Sequence, residues 1–175
     1  MGIENRLAKN KNAIVRDWID LVAKTYAPDT AQFLKRNQDP FTNPVGGSLS
    51  KGLAGLFDQL LSDPDRETVR SYLDPIIRIR AVQDFTPSEA TAFILALKHI
   101  IRDHLKNDLS DSHTANALLE FESKIDSLNL FAFDLYMTCR EKLYELRTNV
   151  ERTKIYKAFE RAGLIAETPE HEPGL

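Results

Sequence analysis

The chain has 175 residues, 23 basic against 26 acidic side chains and a formal net charge of −3. Hydrophobic residues make up 42% of it, enough for one domain with its own core, and its 7 glycines are too few for the many turns of an all-β fold. The near-neutral balance argues against a general nucleic-acid binder, and the single cysteine, Cys139, excludes an internal disulfide and a multi-thiolate zinc site.

The opening MGIENRLAKNKNAIVRDW is charged and helix-periodic, without the apolar core of a signal peptide. No stretch reaches the roughly 20 apolar residues of a membrane helix, and Arg6 occupies the position where a myristoylation start needs Ser or Thr. The expected location is the cytoplasm, with no membrane insertion.

Ile3, Leu7, Ile14, Trp18, Leu21, Val22 and Thr25 form one helical stripe. After Pro28 a short segment, Ala31 to Lys35, offers Phe33 and Leu34. The stretch Asn37 to Gly47, with Pro40, Pro44, Gly46 and Gly47, reads as a loop anchored by Phe41 and Val45. Ser48 is the expected N-cap of a helix that carries Leu49, Leu53, Leu56, Phe57, Leu60 and Leu61 and ends at Asp63-Pro64-Asp65. Val69, Tyr72, Leu73, Ile76, Ile77, Ile79 and Ala81 continue a helical pattern, and Pro75 inside it predicts a kink or a fresh start at Asp74.

Thr86-Pro87-Ser88-Glu89 has the spacing of a capping box with proline at the first helical position. The helix it opens runs through Phe93, Ile94, Leu97, Ile101 and Leu105 to about Lys106. Beyond a polar turn, Asn107 to Ser112, the stepping through Leu118, Phe121, Ile125, Leu128, Ala132, Leu135, Cys139, Leu143, Leu146 and Val150 barely stops. From Leu128 to Met137 it is apolar nearly all round, which predicts the middle of a bundle or an oligomer seam. Gly163 is a candidate C-cap. The tail from Glu167, with its acids and prolines, reads as disordered. The expected fold is all-α, globin-like or bundle-like, a single domain of five to seven helices over residues 1–163 with a long C-terminal helix.

No residue set stands out for catalysis. His99 and His104 fall on different helix faces, and His113 and His171 lie at a helix end and in the tail. They read as surface residues, with a haem on His99 as the alternative that an absorption spectrum tests. No metal or cofactor is expected. Cys139 sits on the apolar stripe and reads as structural rather than redox-active. Asp126 and Asp134 interrupt the most apolar helix, as Arg78 and Arg80 interrupt theirs, so arginine–aspartate pairing between the helices is the simplest expectation. The functional alternative is a core pocket near Arg78, Gln83 and Tyr136 in which Arg78, Arg80 or Gln83 faces a small polar or anionic ligand, with Trp18 and Tyr26 as further lining. The segment Arg140 to Arg161 holds seven basic and four acidic residues. Interspersed acids and the lack of a stacking platform favour a partner helix over nucleic acid.

Trp18 with Thr25-Tyr26, and the blocks DPFTNPVG (Asp39–Gly46), IRIRAVQDFTPSEA (Ile77–Ala90) and FDLYMTCREKLYELR (Phe133–Arg147), resemble the N-terminal domain family of the RsbT co-antagonist protein RsbRD. The resemblance runs from about Leu7 to Arg161, and Arg80, Ala81, Gln83, Thr86, Ser88, Glu89, Tyr136, Cys139 and Arg140 are its most distinctive positions. It implies a stress-response sensory input module, likened to a non-haem globin and joined in such proteins to a STAS domain or a histidine kinase. It offers no catalytic motif. A chain of 175 residues is expected to leave no room for an output domain. The combined expectation is a non-enzymatic signalling domain acting through protein contact, homodimeric through Leu118 to Arg161, with an unidentified output partner. The alternative is a small-ligand sensor or carrier, redox-related or haem-based, using Arg78, Arg80, Gln83, Tyr136 and Arg140.

Overall fold

A computed structural model of the chain describes residues 2–26, 44–83 and 85–164, residues 44 and 45 by their backbone alone. Among these there is no strand, and five helices follow one another: α1 (Ile3–Lys24), α2 (Pro44–Leu61), α3 (Arg66–Val82), α4 (Pro87–Leu105) and α5 (Ser112–Arg161). The all-α expectation with a long C-terminal helix holds. The segment Ala31 to Lys35, the anchors Phe41 and Val45 and the tail from Glu167 lie outside the described side chains. The chain divides into two compact units, Met1–Cys139 and Arg140–Leu175.

In the first unit α1 packs on α2 and α4, α2 on α3, and α3 on α4. Of the expected stripe, Ile3, Leu7, Ile14, Trp18 and Val22 are buried, each large side chain contributing about 1.5–3 kcal/mol, whereas Leu21 is half-buried and Thr25 exposed. The Trp18 indole N–H donates to the Phe93 carbonyl at 2.8 Å, so its burial leaves no polar group unpaired.

Two boundaries differ from expectation. Helix α2 begins at Pro44 rather than after Ser48, so Val45-Gly46-Gly47 belongs to its first turn instead of a loop. Proline suits that turn, where its missing N–H would be unpaired anyway. Helix α3 passes through Pro75 with no restart at Asp74. Leu73, Ile76 and Ile77 are buried on both sides of the proline, and their burial offsets the ~3 kcal/mol it costs in a helix interior.

Glycines set how closely α2 and α3 approach. A Cβ on Gly55 would lie 2.6 Å from the Tyr72 ring, and one on Gly52 would lie 3.0 Å from the Tyr72 carbonyl oxygen.

The starts of α3, α4 and α5 are capped by side chains. Asp65 accepts from the Thr68 N–H at 2.8 Å, and Asp111 accepts from the Thr114 N–H at 3.1 Å and its hydroxyl at 2.7 Å. The capping box is present: the Thr86 N–H donates to Glu89 Oε2 at 2.9 Å, and the Glu89 N–H to Thr86 Oγ1 at 3.4 Å.

Helix α5 buries Leu118, Phe121, Ile125, Leu128, Ala132, Leu135 and Tyr136. The run Leu128 to Met137 is nevertheless not enclosed, because Leu130, Phe133 and Met137 are 67%, 42% and 38% exposed. In the second unit α5 is exposed along nearly its whole length. It ends at Gly163, which takes a φ of 67°. The Leu164 N–H donates to the Phe159 carbonyl at 3.0 Å and the Gly163 N–H to that of Glu160 at 3.1 Å, the paired bonds of a Schellman cap.

Two outcomes follow from this packing. Gly55→Ala gains helix propensity yet destabilises by about 1–3 kcal/mol through overpacking against Tyr72, read as a lowered urea midpoint. The Thr86 N–H and hydroxyl hold the Glu89 carboxyl below its ordinary 4.5. Its stabilisation is therefore present above that value and lost as pH falls through the lower folded one. Glu89→Gln makes the acid-side fall in melting temperature shallower, in melts taken from neutral pH to about pH 3.

Candidate functional site

Arg80 lies on the core stripe of α3, one turn beyond Ile76 and Ile77, so the helical phase that buries them carries its guanidinium inward. It is 0% exposed. The guanidinium carbon sits over three rings, 5.0 Å from the centroid of Tyr26, 4.8 Å from Phe85 and 4.9 Å from Phe93. Nη2 donates to Thr25 Oγ1 at 2.7 Å and Nη1 to the Glu89 carbonyl at 3.1 Å, while Nε is buried without a hydrogen-bond partner. Among the described residues no carboxylate lies within ion-pair distance of it.

Burial pushes the Arg80 pKa down from the ordinary guanidinium value, opposed by the Tyr26 phenol. Tyr26 is in turn pushed above 10.0 by its own burial, with Arg80 opposing. A guanidinium starts so high that it remains charged at neutral pH. The electron-rich ring faces therefore stand where a counter-ion would otherwise be needed.

Tyr136 on α5 donates its hydroxyl to the Phe85 carbonyl, which ties α5 to the α3–α4 connection. Gln83 follows α3 as its C-cap, with its N–H on the Ile79 carbonyl at 3.1 Å. A cavity of about 500 Å³ is bordered by Thr25, Gln83, Phe85, Glu89 and Ala92. The structure thus gathers Arg80, Gln83 and Tyr136 around Phe85. Among the described residues the charged group on the cavity wall is Glu89, while both terminal nitrogens of Arg80 are occupied by protein groups.

Arg78 is elsewhere: it is exposed and donates to the Asp74 carboxylate one turn back on α3, which raises its pKa above the ordinary guanidinium value. Arg140 belongs to the second unit, where it donates to the Tyr144 hydroxyl at 3.0 Å and sits 5.1 Å from that ring's centroid.

The expected pairing of Arg78 or Arg80 with Asp126 or Asp134 is not what forms. Asp126 pairs with Lys98 at 2.6 Å, and Asp134 is exposed. Both lie off the phase that buries Ile125, Leu128, Ala132 and Leu135. The buried carboxylate of α5 is Glu122, gripped by Arg102 of α4 at 2.6 Å and 2.8 Å. This two-pronged pair fixes α5 against α4.

Of the histidines, His104 meets Asp17 at 2.8 Å, His99 and His113 are exposed, and His171 is outside the described residues. Cys139 is half-buried. Among the described residues no cluster of three or more His, Cys, Asp or Glu is placed to hold a metal.

The sequence reading passed over Phe85 and Phe93 as partners of Arg80. The available signal was an arginine in core phase followed by phenylalanines on either side of a capping box.

If the cage is built for packing, Arg80→Ala costs about 3–5 kcal/mol, as for other large core truncations. Arg80→Met, which refills the cage with an apolar chain suited to aromatic rings, restores most of that loss in urea denaturation.

Residues 12–150 match the family described as "RsbT co-antagonist protein rsbRD N-terminal domain". An uncharacterized protein of Archaeoglobus fulgidus is 33% identical over 76 residues, 43% of this chain and 46% of that protein, so the match spans under half of either. No solved structure matches. The family match covers most of the chain and includes α3, α4 and the Arg80 cage, and the chain belongs to the RsbT co-antagonist protein rsbRD N-terminal domain family.

Proposed function

We propose that the protein is a non-enzymatic sensory or regulatory domain of a stressosome-type signalling system. It works in the cytoplasm as a homodimer and passes its state to an output protein through α5. Membership of a signalling family rather than an enzyme class supports the regulatory role, and the family description, a co-antagonist of RsbT, supports action by protein contact.

The observation that carries the contact reading is the open apolar face of α5. Leu119, Leu130, Phe133 and Met137 are all exposed and share one helical face by their spacing. By residue spacing alone, Tyr144, Ile155 and Phe159 follow in the same phase, 7, 11 and 4 residues further on in turn. These three are exposed too. A helix segment with so little burial gains its stability from packing against something, and a second copy supplies an identical stripe. This phase differs from the stepping through Cys139, Leu143, Leu146 and Val150. A change in packing around Arg80 reaches this helix through the Tyr136–Phe85 bond, so α5 is positioned to carry two states if the domain has them.

Sedimentation equilibrium tests the dimer: the chain sediments as a dimer at micromolar concentration, and Leu130→Glu with Phe133→Glu converts it to a monomer whose helical circular dichroism falls by no more than the share of residues 140–161. A wild-type monomer at high micromolar concentration contradicts the proposal.

A further inference from the structure

On the other side of α5, a cleft of about 280 Å³ lies between the end of α2, the start of α3 and the middle of α5. Its floor is apolar, with Leu60, Val69, Leu128 and Phe131, and its rim carries Arg66 and Lys124. The Arg66 guanidinium carbon is 4.7 Å from the centroid of the Phe131 ring, and Lys124 Nζ is 5.8 Å from that of Phe121.

Neither rim cation has a carboxylate within ion-pair distance among the described residues. Six arginines and lysines of the same unit do, among them Arg6 with Asp108, Lys11 with Asp58, Lys98 with Asp126 and Arg102 with Glu122. The contrast matters because a cation lying along an apolar wall attracts an anion whose body covers that wall. The cleft lies just under the ~300 Å³ at which small-molecule sites begin, which suits a short body rather than a long chain.

We infer that this cleft binds a small amphipathic carboxylate, its aliphatic or aryl body on Leu60, Val69, Leu128 and Phe131 and its carboxylate at the Arg66–Lys124 rim. Positive rim, apolar floor and volume all match that one chemistry. A neutral apolar molecule leaves the rim unused, and a long-chain lipid overruns the cleft. The inference goes beyond the contact reading and does not depend on it.

The test is a titration of the isotope-labelled full chain with octanoate, followed by amide chemical shifts and repeated with 1-octanol. Octanoate is expected to shift amides of residues 56–60, 66–69 and 124–131 saturably, and octanol to bind about tenfold more weakly. Arg66→Glu combined with Lys124→Glu is expected to weaken octanoate by about tenfold or more while leaving the melting temperature nearly unchanged. The inference is overturned if octanoate gives no saturable shift at these amides at low millimolar concentration. Equal binding of octanoate and octanol overturns it too, and that comparison uses the unmodified protein. Because the shifts read the cleft in monomer and dimer alike, failure here is distinguishable from failure of the dimer.

Discussion

A charged group sealed inside an apolar domain needs compensation, and in this fold the compensation for Arg80 is aromatic rather than anionic. Three ring faces and two oxygen acceptors surround one guanidinium. Those groups come from the end of α1, the α3–α4 connection and the first turns of α4, so the arginine draws separate helix ends to one point. Tyr136 extends the junction to α5 through the Phe85 carbonyl. An ion pair at the same place would be directional and tolerant of few rearrangements. A cage of π faces is less demanding in angle, so its rings can shift while the charge remains compensated.

Helix α5 is held to this unit by interactions of different character. Its inner face supplies apolar burial, the Glu122–Arg102 pair fixes its register on α4, and Tyr136 anchors it near the cage. Its outer face keeps Leu130, Phe133 and Met137 in contact with solvent. A helix bound firmly along one side and apolar along the other suits a domain that reports its state by contact. Such a division needs no catalytic group, in keeping with the signalling character of the family.

Much of this was legible in the sequence where one local rule decides the outcome. The Thr86–Glu89 box, the α1 stripe and the Gly163 terminus each depend on a few neighbouring residues, and each forms as its spacing predicts. The loop expected at Pro44 and the fresh start expected at Asp74 do not form, because a proline signals a boundary locally, whereas burial of Leu73, Ile76 and Ile77 is decided by tertiary packing. The site was half legible. Arg80, Gln83 and Tyr136 do converge, but Arg78, two residues from Arg80, faces outward to Asp74. Treating Asp126 and Asp134 as buried failed for the same reason: in a helix that is apolar nearly all round, periodicity no longer marks the inner face. Glu122, beside Phe121 on the true inner face, was therefore overlooked. The cleft at Arg66 and Lys124 has no sequence signature, since it joins residues from three helices.

Hydrogen exchange along α5 tests the central claim most directly, because it asks whether the open stripe is covered in solution. The account predicts that amides of residues 140–161 are protected in the intact protein at micromolar concentration, and that Phe133→Glu removes the protection there while leaving α1 and α4 protected. Exchange of those amides at the rate of an unstructured peptide in the unmodified protein would contradict it, because the exposed face of α5 would then have no partner to pack against.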